Sequence, residues 1–146
     1  DATIADCVVD VVVTTPGSGT TAAGLVFRGS DYTGASEDYW YAKITPGTVG
    51  SDFELIEYAA GAATQRAAAD LDFAASTAFD IRTILDGQTI SCFVDNISRI
   101  SYASASVNET ETQFGLRDEG DANVSFDNFA IYPRTSSVYD AQLDGV

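Results

Sequence analysis

One arginine and two tyrosines stand at the facing ends of two apolar runs, where they could bind a ligand together. Arg28 closes the run at residues 22–28, and Tyr39 and Tyr41 open the run at residues 39–45. Apolar residues alternate along both runs, which is typical of β-strands with one buried face. Because every second side chain of a strand points to the same face, we expect Arg28, Tyr39 and Tyr41 together on the face opposite the core.

The same alternation assigns the other face of these two runs to the core. Leu25, Phe27 and Trp40 are predicted there, so Trp40 is interpreted as a core residue and not as a binding platform. On the exposed face, Arg117 of the run FGLR is expected to join Arg28, Tyr39 and Tyr41. Aromatic planes beside a forked guanidinium donor suit a sugar or an acidic glycan.

A structural alternative needs no ligand at this place. Arg28 would then pair with one of the nearby carboxylates Asp31, Glu37 or Asp38 and would cover exposed tyrosine rings. The chain has 22 acidic residues against 7 basic ones, so a carboxylate partner is easy to find. Both interpretations remain open from the sequence.

Catalytic patterns are missing from the sequence. There is no histidine, no Gly-x-Ser-x-Gly elbow, and no lysine after the turn Gly17-Ser18-Gly19 that would make it a phosphate loop. Glycoside hydrolysis needs two carboxylates on a common face. In FELIEY, Glu54 and Glu57 are three residues apart and therefore lie on opposite faces of a strand. We interpret the chain as non-catalytic.

Cys7 and Cys92 are the two cysteines of the chain. Without histidine they cannot complete a Cys/His zinc site or a Cys–His nucleophile pair. They either form one disulfide, which would suit an extracellular protein, or remain two buried apolar thiols.

Length and charge limit the possible functions. The 146 residues fit a single domain over 1–146, and the net charge of −15 opposes binding to nucleic acids or to anionic membranes. No apolar run approaches the ~20 residues that span a bilayer, so we expect no membrane insertion. The acidity suits either solubility in an extracellular or salty setting or the binding of a hard cation such as Ca²⁺. Because the chain contains no Met and begins at Asp1, we expect a processed product or a piece of a longer protein.

Spacings of two dominate the apolar pattern, which predicts an all-β fold. The sequence Asp86-Gly87 favours a hairpin turn between two of the runs. The alanine-rich segment 59–69 is interpreted as an edge strand because Gly61 disfavours a helix. The predicted strands are residues 7–13, 22–28, 39–45, 53–58, 63–70, 78–85, 88–94, 97–102, 113–117 and 123–132.

Three segments resemble a known superfamily when they are taken in order. They are GLVFRGSDYTGASEDYWYAKI, FDIRTILDGQTISCFVDN and FGLRDEGDANVSFDNFAIYP. Together they are similar to the concanavalin A-like lectin/glucanase superfamily, in particular to LamG-like domains and to the jelly-roll domains related to 3-keto-disaccharide hydrolases. The resemblance implies an antiparallel β-sandwich of two sheets with a concave face, which in many relatives binds or cleaves carbohydrate.

The resemblance has further implications for metal and for catalysis. Asp127 of FDNF matches an acidic residue that in related jelly rolls helps to bind a structural Ca²⁺, whereas the acidic run 118–123 is interpreted as a solvated hairpin loop. The carboxylate-bearing Glu-x-Asp-x-x-Glu strand of laminarinase-like relatives has no counterpart here.

One departure from the superfamily concerns the start of the chain. Relatives have strands before the segment that matches CVVDVVV, which implies that this sandwich lacks its first strands and leaves residues 7–13 as an open edge. Open edges recruit partners, so we expect a copy of the same protein to cover it, giving a homo-oligomer or a fibre. The alternative, that residues preceding Asp1 exist in the native protein, is equally open.

The preferred hypothesis is a non-catalytic carbohydrate-binding or adhesion domain of an extracellular or virion-borne protein. The alternatives are a structural module that assembles into a fibre or shell, and a degenerate glycosidase-like enzyme.

Overall fold

The computed structural model describes residues 5–17, 21–47, 50–103 and 105–134. Within them the chain forms ten strands, β1 to β10, and a 3-10 helix, Gly34–Ser36, between β2 and β3. The strands are β1 Cys7–Thr14, β2 Ala23–Asp31, β3 Asp38–Ile44, β4 Phe53–Ala59, β5 Ala62–Ala69, β6 Ala78–Asp86, β7 Thr89–Val94, β8 Ile97–Tyr102, β9 Gln113–Asp118 and β10 Ser125–Pro133.

These strands pair antiparallel in two five-stranded sheets. Sheet A has the order β10-β1-β6-β7-β8 and sheet B the order β5-β4-β3-β2-β9. The predicted all-β sandwich is therefore confirmed, and each observed strand overlaps one predicted run. The alanine-rich segment forms β5, the exposed edge strand expected there. None of the described segments is a long apolar helix of the kind that crosses a bilayer.

The core lies between the two sheets and is built by alternation. Leu25, Phe27 and Trp40 are fully buried in it, as predicted, and meet the valines of β1 from the other sheet. The indole N–H of Trp40 donates a hydrogen bond to the Val107 carbonyl at 2.8 Å. The one polar atom of this large side chain thus has a partner inside the core.

The predicted open edge at β1 is wrong. β1 lies inside sheet A, where Val8 is opposite Tyr132 of β10 on one side and Ile84 of β6 on the other. Its valine-rich composition is that of a strand with hydrogen-bonded neighbours on both sides. β10 comes from the far end of the described chain, and such a long-range pairing leaves no local trace in the sequence. The predicted homo-oligomer or fibre that forms at an open β1 edge therefore has no basis in the structure.

The disulfide alternative is also wrong, since both thiols are free and buried. Thr83 of β6 pairs with Val9 on one side and with Cys92 on the other, so Cys92 lies two strands from Val9. At ~4.8 Å per strand this separation is already ~9–10 Å, and Cys7 lies two residues further along β1. A disulfide requires a Cα separation below ~7 Å.

Candidate functional site

The outer face of sheet B carries a second apolar cluster, which we call the tyrosine cluster: Val26, Tyr39, Tyr41, Ile56 and Tyr58, with Tyr32 packed against them. It occupies the alternate positions of β2, β3 and β4, on the face opposite the main core. The rings of Tyr39 and Tyr58 stack with centroids 4.5 Å apart. Tyr39 and Tyr41 thus share the predicted face, but only 1% and 0% of their surfaces are exposed. They lie beneath a surface and do not form it.

Arg117 of β9 covers this cluster. Its guanidinium carbon lies 5.7 Å from the ring centroid of Tyr39, 5.4 Å from that of Tyr41 and 5.6 Å from that of Tyr58. These distances are within the range of cation–π attraction. The predicted association of Arg117 with the two tyrosines is therefore confirmed, and Tyr58 is a further member that the sequence analysis missed.

Gly24 makes this approach possible. It is the register partner of Arg117 on β2, between β9 and the tyrosines of β3. A Cβ atom at position 24 would lie 2.0 Å from the carbonyl oxygen of Ala42 and 3.2 Å from Cε2 of Tyr41. Glycine at this position therefore leaves the space across which the arginine reaches the rings. A glycine inside an apolar strand was the sequence signal that could have pointed to this contact.

Two glutamates flank the guanidinium of Arg117. Glu37 lies 3.9 Å from Nη1 and Glu119 lies 3.8 Å from Nε. Nη1 also donates a hydrogen bond to the hydroxyl of Tyr39, which in turn donates to Glu37 at 3.4 Å. The arginine is thus held by charge, by hydrogen bonding and by ring contacts, while about a third of its side chain (32%) stays exposed.

Tyr41, Tyr58 and Tyr32 stay neutral over the physiological pH range, because the pKa of each is raised. Burial raises the pKa of Tyr41 far above its usual value, with the negative charge of Glu119 as the next cause. Burial also raises the pKa of Tyr58, and that of Tyr32 to about 12. The hydroxyl of Tyr32 donates to the Gln113 carbonyl at 2.7 Å. The buried hydroxyl of Tyr41 has no hydrogen-bond partner in the part of the chain that the structure describes.

A cleft of about 440 Å³ opens beside Arg117. It lies between β9 and the segment that links β2 to β3, and Tyr32, Glu37 and Arg117 supply its polar atoms. Phe114 and Leu116 contribute apolar surface. This volume is within the range of ~300–1,000 Å³ that small-molecule sites have, and the mixed lining suits a ligand with both polar and apolar faces.

Arg28 does not belong to this site, so its predicted place is wrong. The pairing of β2 shifts register after Phe27 toward both neighbouring strands, and Arg28 has a left-handed backbone (φ 50°). This bulge resets the alternation and turns the side chain to the other face. There it is fully buried and pairs with Asp6 at 3.3 Å. The salt-bridge partner that the described residues supply to Arg28 is Asp6, which is none of the three carboxylates of the structural alternative.

Asp127 lies on β10 opposite Val12 and is exposed. Its carboxylate accepts a hydrogen bond from the backbone N–H of Asn128 at 2.8 Å. Among the described residues, no three Cys, Asp or Glu side chains come together as metal ligands. The calcium site at Asp127 stays a prediction.

The two glutamates of β4 lie on opposite faces, as predicted. Glu54 pairs with Lys43 at 3.4 Å on the outer face of sheet B, whereas the nearly buried Glu57 pairs with Arg66 at 2.7 Å. Each carboxylate has a cationic partner of its own, and the two do not form an acid and nucleophile pair.

The strand order and the two stacked sheets define a jelly-roll β-sandwich. No family model and no curated protein matches the chain in sequence. Among solved structures, the carbohydrate-binding module CBM66 from Bacillus subtilis is similar with a TM-score of 0.68 and 21% identity, over 87% of this chain and 74% of that one. Sheep galectin-11, solved in complex with glycerol, is similar with a TM-score of 0.65 and 12% identity, over 89% and 92%. A Caenorhabditis elegans galectin gives 0.61 and 12%, over 88% and 84%. These likenesses confirm the fold that the resemblance implied.

Proposed function

We propose that the protein is a non-catalytic carbohydrate-binding domain whose ligand lies on the outer face of sheet B. The observation that carries the proposal is the placement of Arg117 over three tyrosine rings at the edge of an open cleft. A similar fold in a protein described as a carbohydrate-binding module supports the same function.

In this proposal the side chains of the site have different roles in binding. Arg117, Glu37 and the hydroxyl of Tyr32 supply donors and acceptors for sugar hydroxyls. Phe114 and Leu116 offer apolar surface to the C–H groups of a sugar ring. Tyr39 and Tyr41 are too deeply buried to stack on a ligand, so they act as positioning residues for Arg117.

The charges of the site favour a neutral glycan over an acidic one. Glu37 and Glu119 already neutralise Arg117, and Glu54 lies on the same face of the sheet. A negatively charged sugar would meet these carboxylates and the field of a chain with a net charge of −15. We therefore infer that the ligand is uncharged.

The proposal includes an extracellular location, where glycans are accessible to a binding domain. A glycosidase activity has no support in the geometry, because Glu54 and Glu57 lie on opposite faces of β4 and each is paired with a cation. A virion-borne or fibre-forming role has none either, since β1 is flanked by strands on both sides.

A glycan array followed by titration calorimetry tests the proposal. The unaltered protein is expected to bind neutral glycans, and Arg117→Met to weaken that binding by about tenfold to a hundredfold, the loss of a charged hydrogen bond. Arg99→Met removes an exposed arginine of β8 on the other sheet and is the matched control. Equal affinity of Arg117→Met and the unaltered protein, or no binding to any neutral glycan, would overturn the proposal.

A further inference from the structure

A second concave surface lies on the outer face of sheet A, remote from the tyrosine cluster. We call it the sheet A trough. It has a volume of about 250 Å³ and lies across β1, β6 and β10. The side chains that define it are those of Asp10, Asp80, Arg82, Asn96, Asn128 and Tyr132. They include carboxylate, guanidinium, amide and phenol groups around one hollow.

The floor of the trough is fixed by a two-point ion pair. Asp10 and Arg82 are register partners on β1 and β6, and both point away from the core. Nε and Nη2 of Arg82 donate to the two carboxylate oxygens of Asp10, each at 2.8 Å. Such a bidentate pair holds both planar groups in one orientation. About a quarter of each side chain is exposed, so the pair still faces the trough.

One end of the trough is closed by the turn between β7 and β8. The backbone N–H of Asp95 donates to the Asp80 carbonyl at 2.9 Å, and the backbone N–H of Asp80 donates to the Asp95 carboxylate at 3.0 Å. These reciprocal bonds attach the turn to β6 and place Asn96, which is exposed, beside Asp80. The turn that carries Asn96 is therefore bonded to β6 at the rim of the trough.

The other wall comes from an irregularity of β10. The pairing of β1 with β10 shifts register between Asp10 and Val12, and Asn128 in this stretch has a left-handed backbone (φ 54°). A bulge re-aims the side chains of the strand that contains it. Asn128 and the partly exposed ring of Tyr132 thus both line the trough from β10.

We propose that the sheet A trough is a second binding site, for a single neutral sugar residue or a polyol of similar size. Hydroxyl groups both donate and accept hydrogen bonds, and the trough offers amides, carboxylates and a phenol within one hollow. Its volume is below the ~300–1,000 Å³ of sites for drug-sized ligands, which limits the ligand to about one ring. Tyr132 supplies an aromatic surface for that ring.

The charges exclude an anionic ligand from this site. Asp10 neutralises Arg82, and Asp80 adds a second carboxylate to the lining. An anion would therefore meet a net negative surface. The site differs in this way from an arginine pocket for phosphate or for acidic sugars, in which the guanidinium has no bound carboxylate.

Nuclear magnetic resonance titration of the ¹⁵N-labelled chain tests the proposal. The probes are glucose, galactose, mannose, fructose and N-acetylglucosamine, each added to about 100 mM, which detects the millimolar affinities expected of a one-ring ligand. We expect saturable shifts of backbone amides in β1, β6 and β10 with at least one probe. Asn96→Gly and Asn128→Gly keep the left-handed backbone and are each expected to weaken this binding about fivefold to tenfold.

Two control variants separate this site from the one on sheet B. Ser98→Ala, an exposed change on β8, and Arg117→Met are both expected to leave the shifts in the trough unaltered. Saturable shifts confined to β2, β3 and β9 that vanish in Arg117→Met would overturn the second site and leave the proposed function standing. Absent or non-saturable shifts in the trough, or shifts unchanged by both asparagine variants, would also overturn it.

Discussion

Replacing Asp6 by Asn tests how the buried charge of Arg28 is tolerated. Arg28 has no exposed surface, whereas about half of the Asp6 side chain is exposed (49%). Oδ1 of Asp6 accepts from Arg28 at 3.3 Å and from the backbone N–H of Gly87 at 2.9 Å. Asparagine keeps an oxygen in this position and removes the negative charge. Asp6→Asn therefore changes the electrostatics of the pair with little change in shape.

The expected destabilisation is about 2 kcal/mol. Breaking a fully buried pair costs about 3–5 kcal/mol, and breaking an exposed pair about 0–1 kcal/mol. The pair of buried Arg28 with half-exposed Asp6 lies between these limits. The negative charges of Glu109 and Asp86 also act on Arg28. Nε and Nη1 of Arg28 are buried without a hydrogen-bond partner in the described part of the chain. Arg28→Met removes those groups with the charge, so it is expected to cost less than Asp6→Asn.

The assay is urea unfolding of the two single variants and the double variant. Asp6→Asn is expected to lower the free energy of unfolding by about 2 kcal/mol in the unaltered background, and by less than about 0.5 kcal/mol when Arg28 is already Met. The coupling between the two sites would then be at least about 1.5 kcal/mol. Additive losses within about 0.3–0.5 kcal/mol would refute the reasoning, because they would mean that Asp6 stabilises the fold independently of the buried charge.

Two further predictions concern the thiols and a glycine. Cys7 and Cys92 are expected to resist an aromatic disulfide reagent in the native protein at neutral pH and to react in denaturant, because burial raises the pKa of Cys7 to about 11 and that of Cys92 to about 12. Folding raises both thiol pKa values from 9.0, so above pH 9 the thiols ionise more readily in the unfolded chain. The free energy of unfolding should therefore fall by up to about 1.4 kcal/mol per pH unit for each thiol. A free energy of urea unfolding that is equal at pH 9 and pH 10 would contradict this. Gly61→Ala is expected to destabilise by at least about 1 kcal/mol more than Gly34→Ala in the same assay. Both glycines have positive φ, but a Cβ added at position 61 would lie 2.2 Å from the carbonyl oxygen of Ala35, whereas one added at position 34 would meet nothing within 4 Å. Equal losses of stability would show that the contact with Ala35 does not cause the destabilisation.

The alternation of side chains predicted the faces of the strands as far as each strand stays regular. Leu25 and Phe27 are in the core as expected, and the prediction fails at the next residue, Arg28, where β2 shifts register against both neighbours. A bulge of this kind depends on how two other strands pair with β2. The sequence of β2 alone contains the hydrophobic pattern but not the position at which the pattern breaks.

The pairing of strands that are far apart in the sequence was the second feature that the pattern within single segments could not predict. The place of β1 inside sheet A depends on β10, which lies more than a hundred residues further along the chain. The distance between Cys7 and Cys92 depends in the same way on β6 lying between their strands. Composition allowed a disulfide and an open edge, and strand order excluded both.

For the candidate site on sheet B, the sequence indicated which residues share a face but not whether that face is covered. Alternation placed Tyr39 and Tyr41 opposite the core, and the exposed aromatic platform inferred from it does not exist, because Arg117 and Tyr32 pack over them. Burial changes the chemistry of the site. Deeply buried phenols beneath a guanidinium fix its position. In the proposed function, recognition of the ligand is therefore assigned to the arginine and to the cleft beside it. The binding energy of the proposed site should therefore depend more on Arg117 than on either tyrosine.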